Sequence, residues 1–286
     1  MSKVWLITGS ARGLGLHIAR AVLEAGDRLV ATARNPDRLT PLRAEFGNRV
    51  ATFALDVADP TAAQAAVDFA ADTFGRLDVL VNNAGFGHFA PFEQTDPDHF
   101  RAQVETNFFG VVNMTRAVLP VMRLQRSGHI INISSVGGRM TGPGMAAYQS
   151  AKWAVSGFSE IIAKETRHLG IKAVSVEPGG MRTEWGQIAR GDAPRLMEDY
   201  APAMGAMKAA LEKVVGNEIG DPDKIAGIIL DLAERSDVPE HLLLGSDAVE
   251  LLKKAEEGRR KEAETWESVS RSTDCGNADL SFLKYI

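Results

Sequence analysis

The run Val4-Trp5-Leu6-Ile7-Thr8-Gly9-Ser10-Ala11-Arg12-Gly13-Leu14-Gly15 decides the fold. Residues 4–8 read as a short buried strand, three glycines follow, and Leu16, Ile18, Ala19, Val22 and Leu23 then recur at helical spacing until Gly26. A strand, a glycine-rich turn and a helix start together make a phosphate-binding device. Glycine lets the backbone turn tightly and approach a pyrophosphate, while free N–H groups and the positive end of the helix dipole receive the anion. The spacing is Gly-x-x-x-Gly-x-Gly, distinct from the Gly-x-Gly-x-x-Gly dinucleotide fingerprint. Taken alone, the run also reads as an ordinary glycine-rich bend.

Beyond it, strands and helices alternate. Strands are expected at 28–33, 50–55, 79–81, 129–133 and 172–176, and helices at 36–46, from Asp59-Pro60 to Phe74, over 97–124 and over 145–169. Asp59 followed by Pro60 has the form of an N-cap and a first helical residue. Apolar strands alternating with helices imply an α/β, doubly wound parallel sheet covered on both faces, a three-layer Rossmann-like fold, with ligands at the carboxyl ends of the strands. No Pro/Gly/Ser-rich linker interrupts the 286 residues, so one catalytic domain spanning 1–286 is expected.

Tyr148 and Lys152 stand four residues apart on the expected 145–169 helix, and Ser134 and Ser135 precede them by about a strand and a loop. The i, i+4 spacing puts phenol and ammonium on one helical face. An ammonium beside a phenol favours the phenolate, so Tyr148 could serve as an acid or base near neutrality. The pair alone equally describes a surface Tyr and Lys on an amphipathic helix.

Together these segments resemble the short-chain dehydrogenase/reductase family over about residues 3–183. Thr8-Gly9-x-x-x-Gly13-x-Gly15 is similar to its cofactor turn, Asn82-Asn83-Ala84-Gly85 to the segment after its fourth strand, and Tyr148-x-x-x-Lys152 to its catalytic pair. Asn107 falls where the family keeps a helix asparagine, Ser135 lies thirteen positions before Tyr148, and Pro178-Gly179-x-x-x-Thr183 resembles the turn that contacts the nicotinamide. The resemblance implies Tyr148 as proton donor and acceptor, Lys152 lowering its pKa and binding the nicotinamide ribose, and Ser135 donating to the substrate oxygen in the manner of an oxyanion hole. Ser134 is expected to orient the strand end. Asn107 would hold a water linking Lys152 to solvent, or else satisfy buried backbone.

The cofactor set implied in the same way is Gly9, Ser10, Arg12, Gly13, Leu14 and Gly15 in the turn, Asp56 and Val57 at the adenine, Asn83, Ala84 and Gly85 beneath the adenosine, Tyr148 and Lys152, and Pro178, Gly179 and Thr183. At the end of the second strand, where an acid would select NAD, stand Ala33 and Arg34. A neutral residue removes repulsion of a 2'-phosphate, and Arg34 and Arg12 can grip it, so NADP(H) is the expected cofactor.

Composition narrows the alternatives. Lys plus Arg number 32 and Asp plus Glu 37, a net charge of -5 with no long basic block, which argues against nucleic acid as a partner. The Arg259-Arg260-Lys261 cluster sits among glutamates and reads as a solvated helix face. The single cysteine, Cys275, can form no intramolecular disulfide or cysteine metal cluster, and His17, His88, His99 and His129 lack ligand spacing, so no metal is expected. Without a signal-like or membrane-spanning apolar run, a cytoplasmic setting is the default expectation.

Residues 184–216 occupy the place of the family's substrate lid and carry Trp185, Met197, Tyr200, Met204 and Met207. These side chains suit a bulky hydrophobic ketone, or serve to pack a lid helix on the core. Phe86, His88, Phe89, Phe92, Met140 and Met145 are candidates for another wall. The C-terminal part departs from the common family pattern: His241-Leu242-Leu243-Leu244-Gly245-Ser246-Asp247-Ala248 replaces the Val-Asp-Gly-Gly-like run, and an extension over 249–286 follows, with a helix at about 249–266. That departure puts the family's usual tetramer in doubt while leaving a homo-oligomer, dimer or tetramer, open. The functional expectation is an NADP(H)-dependent oxidoreductase acting on a ketone or secondary alcohol. A 3-oxoacyl-acyl-carrier-protein-type reductase and a non-catalytic dinucleotide-binding sensor are the alternatives.

Overall fold

Alternation along the strands builds the core. In the computed structural model, which describes residues 2–191, 194–276 and 278–285, β1 (Val4–Ile7) is buried at all four positions. Successive side chains point to opposite faces of a strand. Trp5 and Ile7 accordingly enter one apolar layer and Val4 and Leu6 the other. The first layer packs under α1 (Gly13–Glu24) and the second under α3 (Pro60–Phe74), the latter started by the Asp59 carboxylate on Thr61 N and stopped by left-handed Gly75.

The remaining strands are β2 (Arg28–Ala33), β3 (Val50–Ala54), β4 (Val79–Asn82), β5 (Gly128–Ile133), β6 (Ile171–Pro178) and β7 (His241–Leu244). They form one parallel sheet of order β3-β2-β1-β4-β5-β6-β7. The expected Rossmann-like α/β fold is present. α2 (Thr40–Phe46), α1 and α9 (Pro222–Leu232) cover one face; α3, α5 (Gly110–Gln125) and α6 (Ala146–Thr166) cover the other. The order reverses between β1 and β4, and at such a point the strand ends diverge and leave a crevice. Registers Ile7↔Val81, Asn82↔Asn132 and Ile133↔Val176 bring the ends of β1, β4, β5 and β6 to one edge.

Four local differences from the sequence reading matter. The 36–46 segment divides into a 3-10 turn (Pro36–Leu39) and α2, because Asn35 caps the first and Pro41 starts the second. The 97–124 helix is α4 (Pro97–Val104) and α5 joined through a π-helical turn, Glu105–Phe109, which buries Asn107. The sixth strand runs to Pro178, and His241–Leu244, read without a strand assignment, pairs with it. The C-terminal helix α10 spans Ser246–Arg271, longer at both ends than the expected 249–266. The lid comprises α7 (Trp185–Gly191) and α8 (Ala201–Val214). Residues 192 and 193 of the expected lid, and 277 and 286 of the extension, lie outside the described residues, as does Met1.

Candidate active site

The glycine turn folds because only glycine fits it. Gly9 and Gly13 have φ of +70° and +52°, and a Cβ on Gly15 would run into the Gly9 carbonyl and the Asn83 amide. Asn83 Nδ2 donates to Thr8 O (2.9 Å) and Gly9 O (3.1 Å), while Thr8 Oγ1 accepts from the N–H groups of Asn83 (2.9 Å) and Ala84 (3.0 Å). The asparagine segment after β4 thus braces the turn after β1. α1 begins without a side-chain cap and without an acid in its first turn, which leaves its N–H groups available to an anion. Ser10 and Leu14 face inward: the Ser10 hydroxyl donates to Ile7 O (2.7 Å), and Leu14 lies in the core. Their side chains are committed to the protein, and their backbone is what they offer a cofactor.

Beside the turn lies an open cleft of about 490 Å³, lined among others by Ala11, Arg12, Gly13, Thr183, Glu184 and Gln187. Gly13 and Thr183 face each other across it, a Cβ on the glycine standing 3.9 Å from Thr183 Cβ. Arg12 and, at the end of β2, Arg34 are exposed, and no hydrogen bond or ion pair from either guanidinium is found among the described residues. Asp56, beyond β3, is exposed and accepts from Ala58 N (3.0 Å), whereas the Val57 side chain packs on Gly110 in the core. A glycine cradle, an uncapped helix start and two unpaired cations suit a phosphate-rich dinucleotide.

The proton-transfer candidates meet at the next strand ends. Ser134 Oγ donates to Lys152 O (3.1 Å) and contacts Ser156 Oγ (2.9 Å), tying β5 to the tyrosine helix as expected. Ser135 caps the following 3-10 turn by accepting from Gly137 N (3.0 Å), and its hydroxyl also reaches the Tyr148 phenol. Lys152 is 4% exposed and donates from Nζ to Ile133 O (2.6 Å), with Nζ 5.7 Å from the centre of the Tyr148 ring. Burial pulls the lysine down to about 8.

Here the expected pKa argument is corrected. The phenol of Tyr148 is pushed up to about 12 by burial, and the group that pulls it back is Ser135 rather than Lys152. The ammonium lies over the ring face, committed to a carbonyl, and desolvation of the phenolate outweighs the remaining pull.

Asn107 is fully buried on the π-helical turn, and both ends of its amide serve Phe86: Oδ1 accepts from Phe86 N (3.1 Å) and Nδ2 donates to Phe86 O (2.7 Å). The side chain thus satisfies the buried backbone of the loop after β4. Gly85 permits the approach, since a Cβ there would stand 2.5 Å from Asn107 Oδ1 and 3.7 Å from Lys152 Nζ.

The lid closes over the tyrosine. Trp185 packs on the Tyr148 ring with centroids 4.9 Å apart, and Gly87 makes room for the indole, because a Cβ there would fall 2.5 Å from Trp185 Cζ2. Phe89 N donates to Ala189 O (3.0 Å), joining the loop after β4 to α7. Met204 and Met207 reach the 142–144 loop, Met204 being buried, so α8 does pack its own apolar face. Phe92 is 69% exposed and stands edge-on against Phe100.

Two features carried no warning in the sequence. Glu177, fully buried on β6, accepts from Ser156, Ser175 and Arg139 and pairs with His241 of β7 at 2.7 Å. Asp247, on the first turn of α10, accepts from Gly180 N (2.7 Å) beside the expected nicotinamide turn. Neither was legible because each depends on β7 lying against β6.

A glycine-braced crevice flanked by a Ser-Tyr-Lys cluster on a seven-stranded parallel sheet defines a dinucleotide-dependent oxidoreductase. The sequence profile described as short chain dehydrogenase matches residues 3–193. An oxidoreductase of Botryotinia fuckeliana, BOA17, is 48% identical over 271 residues, covering 94% of this chain and 98% of that protein. The crystal structure of a short-chain dehydrogenase from Streptomyces avermitilis superposes with a TM-score of 0.89 at 37% identity, covering 96% of this chain and 100% of the other. More distant solved structures were determined with cofactor. A 3-ketoacyl-(acyl-carrier-protein) reductase from Brucella melitensis holds NADH (27% identity, TM-score 0.72, 85% and 96% covered), and ElxO holds NADP (26%, 0.71, 85% and 96%). The chain belongs to the short-chain dehydrogenase/reductase family and is an NAD(P)-dependent oxidoreductase of that family.

Proposed function

We propose that this enzyme transfers a hydride between NADP(H) and a ketone or secondary alcohol with a hydrophobic frame, Tyr148 serving as proton donor in reduction and acceptor in oxidation. The observation that carries the reading is the meeting of Ser135, Tyr148 and Lys152 beside the glycine crevice, under an apolar lid. The bound cofactor supplies or accepts the hydride. Ser135 donates a hydrogen bond to the substrate oxygen and steadies the charge that develops there. Tyr148, protonated at neutral pH, delivers its proton to that oxygen. Lys152, anchored on Ile133 O, sets a cation beside the phenol. Asn107 fixes the loop at Phe86, and Trp185 shields the reacting face from water.

Cofactor choice rests on Arg34 and Arg12, exposed cations with no acid at the end of β2. The remaining contacts fall to the turn from Gly9 to Gly15, to Asp56 and Val57, to Asn83, Ala84 and Gly85, and to Pro178, Gly179 and Thr183. The test is a pair of variants assayed by NADPH absorbance on a ketone panel. Tyr148→Phe retains NADPH binding and loses nearly all reduction; full turnover by this variant overturns the proton-transfer reading. Arg34→Asp raises KM for NADPH by about tenfold or more relative to NADH, as loss of a charge-assisted phosphate contact and gain of repulsion require. An unchanged ratio overturns the NADP preference.

A further inference from the structure

The geometry points to Asp247 as a positioning residue that sets the nicotinamide-side turn from the C-terminal helix, making the start of the extension a working part of the cofactor site. The inference rests on the cofactor reading above and goes beyond it.

β7 places the helix. Pro178 pairs with Leu244, Gly179 N donates to Leu244 O (2.9 Å), and Gly245, at φ +111°, turns the chain directly into α10. Asp247 therefore stands over the end of β6. One carboxylate oxygen accepts from Ala248 N (2.8 Å), at a helix start where a negative charge is favoured. The other leaves its own helix and accepts from Gly180 N (2.7 Å). Gly179 is required at this spot because a Cβ would run into the carboxylate, and Gly245 because a Cβ there would stand 2.5 Å from Asp247 Oδ1.

The same turn is held from the opposite side. Gly220 N donates to Gly180 O (2.9 Å), Arg182 N donates to Gly220 O (3.0 Å), and Arg182 Nε donates to Glu218 O (2.7 Å). Residues 178–183 are clamped between α10 and the 216–220 segment, and Thr183 at their end faces Gly13 across the cleft. Of the two jaws, only Asp247 applies a side-chain charge to a backbone N–H of the turn itself. Releasing it frees Gly179 and Gly180, two residues with wide conformational freedom, next to where the nicotinamide is expected. The cofactor would then have to order the turn on binding, which weakens affinity without touching the proton-transfer groups.

The full-length protein is titrated with NADPH by cofactor fluorescence, and kcat and KM are measured alongside. Asp247→Ala raises the NADPH Kd by about tenfold, the loss expected for a hydrogen bond to a charged acceptor, with kcat little changed. Asp247→Asn, whose amide oxygen still accepts from Gly180 while the charge is lost and an NH2 faces Ala248 N–H, raises Kd by less than Asp247→Ala. Asp247→Glu, which keeps the charge but drives it into Gly179, weakens binding again and serves should the alanine variant fail to fold. Arg259→Ala removes a different α10 contact, the guanidinium over the Trp153 ring, and leaves Kd unchanged. Wild-type affinity in Asp247→Ala and Asp247→Glu, or equal weakening by Arg259→Ala, overturns the inference. Failure of the wild type to bind either NADPH or NADH overturns the cofactor reading itself, and the inference with it, a result distinct from all of these.

Discussion

Replacing Lys152 by methionine should make the cofactor-free protein more stable at neutral pH while removing its activity. Burial lowers the lysine from 10.5 to about 8, so its charged form is disfavoured in the folded state. At about 1.4 kcal/mol per pKa unit, holding that charge inside at pH 7 costs about 3 kcal/mol. Methionine fills much of the same volume without the charge. It also strands the Ile133 carbonyl, which now accepts from Nζ at 2.6 Å, a loss of about 1–2 kcal/mol. The balance is a gain of about 1–2 kcal/mol at pH 7. A depressed folded pKa means the unfolded chain binds more protons between about 8 and 10.5, so wild-type stability rises with pH through that window and stays level at its lower value below it. The methionine variant lacks this rise, and by pH 9.5 its advantage shrinks toward zero. Urea unfolding followed by circular dichroism at pH 7 and pH 9.5 measures both differences. The upper limit avoids the range from 10 to about 12, where Tyr148 keeps its proton only when folded and stability falls again with pH. A variant less stable than wild type at pH 7, with the same gap at pH 9.5, would refute the argument.

The lid and the buried acid each yield a further test. Trp185→Ala vacates the space over Tyr148, and Gly87→Ala adds a methyl that cannot coexist with the indole where it stands. Both should raise kcat/KM for a bulky ketone over a small one by about tenfold, the scale of a few methylenes of pocket space, and an unchanged ratio in both variants counts against Trp185 as a wall. His241 is held above its ordinary value chiefly by its hydrogen bond to Glu177. The stability it contributes is therefore full below pH 6.5 and lost as pH rises through the raised value. His241→Leu should lower stability by about 1–3 kcal/mol at pH 6 and by less at pH 9; thermal unfolding with equal losses at both values would exclude the charge as the cause.

Local chemistry made the first half of the sheet legible. The strand, glycine turn and helix from Val4 to Leu23, the Asp59-Pro60 helix start and the apolar runs of β2, β4 and β5 are each dictated by neighbours in the chain. The gathering of Ser135, Tyr148, Lys152 and Asn107 could be anticipated because their motifs flank strand ends. What stayed hidden depends on contacts between distant segments. β7 is four residues long, and its assignment comes from pairing with Ser175 to Pro178 rather than from its own pattern. The π-helical turn that buries Asn107 has no composition of its own. Ser10, Leu14 and Val57 were grouped with the cofactor by motif, yet their side chains turn into the protein, because a motif specifies where the backbone goes and leaves the side chain to packing.

The same distinction explains the tyrosine. Spacing on a helix correctly brings Lys152 near Tyr148, but which protonation state results is a contest between attraction and desolvation that spacing cannot decide. In the folded site desolvation wins for both groups: the phenol is held protonated and the amine is pulled toward neutrality. A proton donor for ketone reduction must carry its proton when the substrate arrives, and a phenol titrating at about 12 does so at every physiological pH. Oxidation of an alcohol needs the opposite form, so it demands that a positive charge near the phenol be felt more strongly than in the present arrangement. Lys152 is the group placed to provide it, since movement of its ammonium from the Ile133 carbonyl toward the phenol oxygen would strengthen the attraction now spent elsewhere.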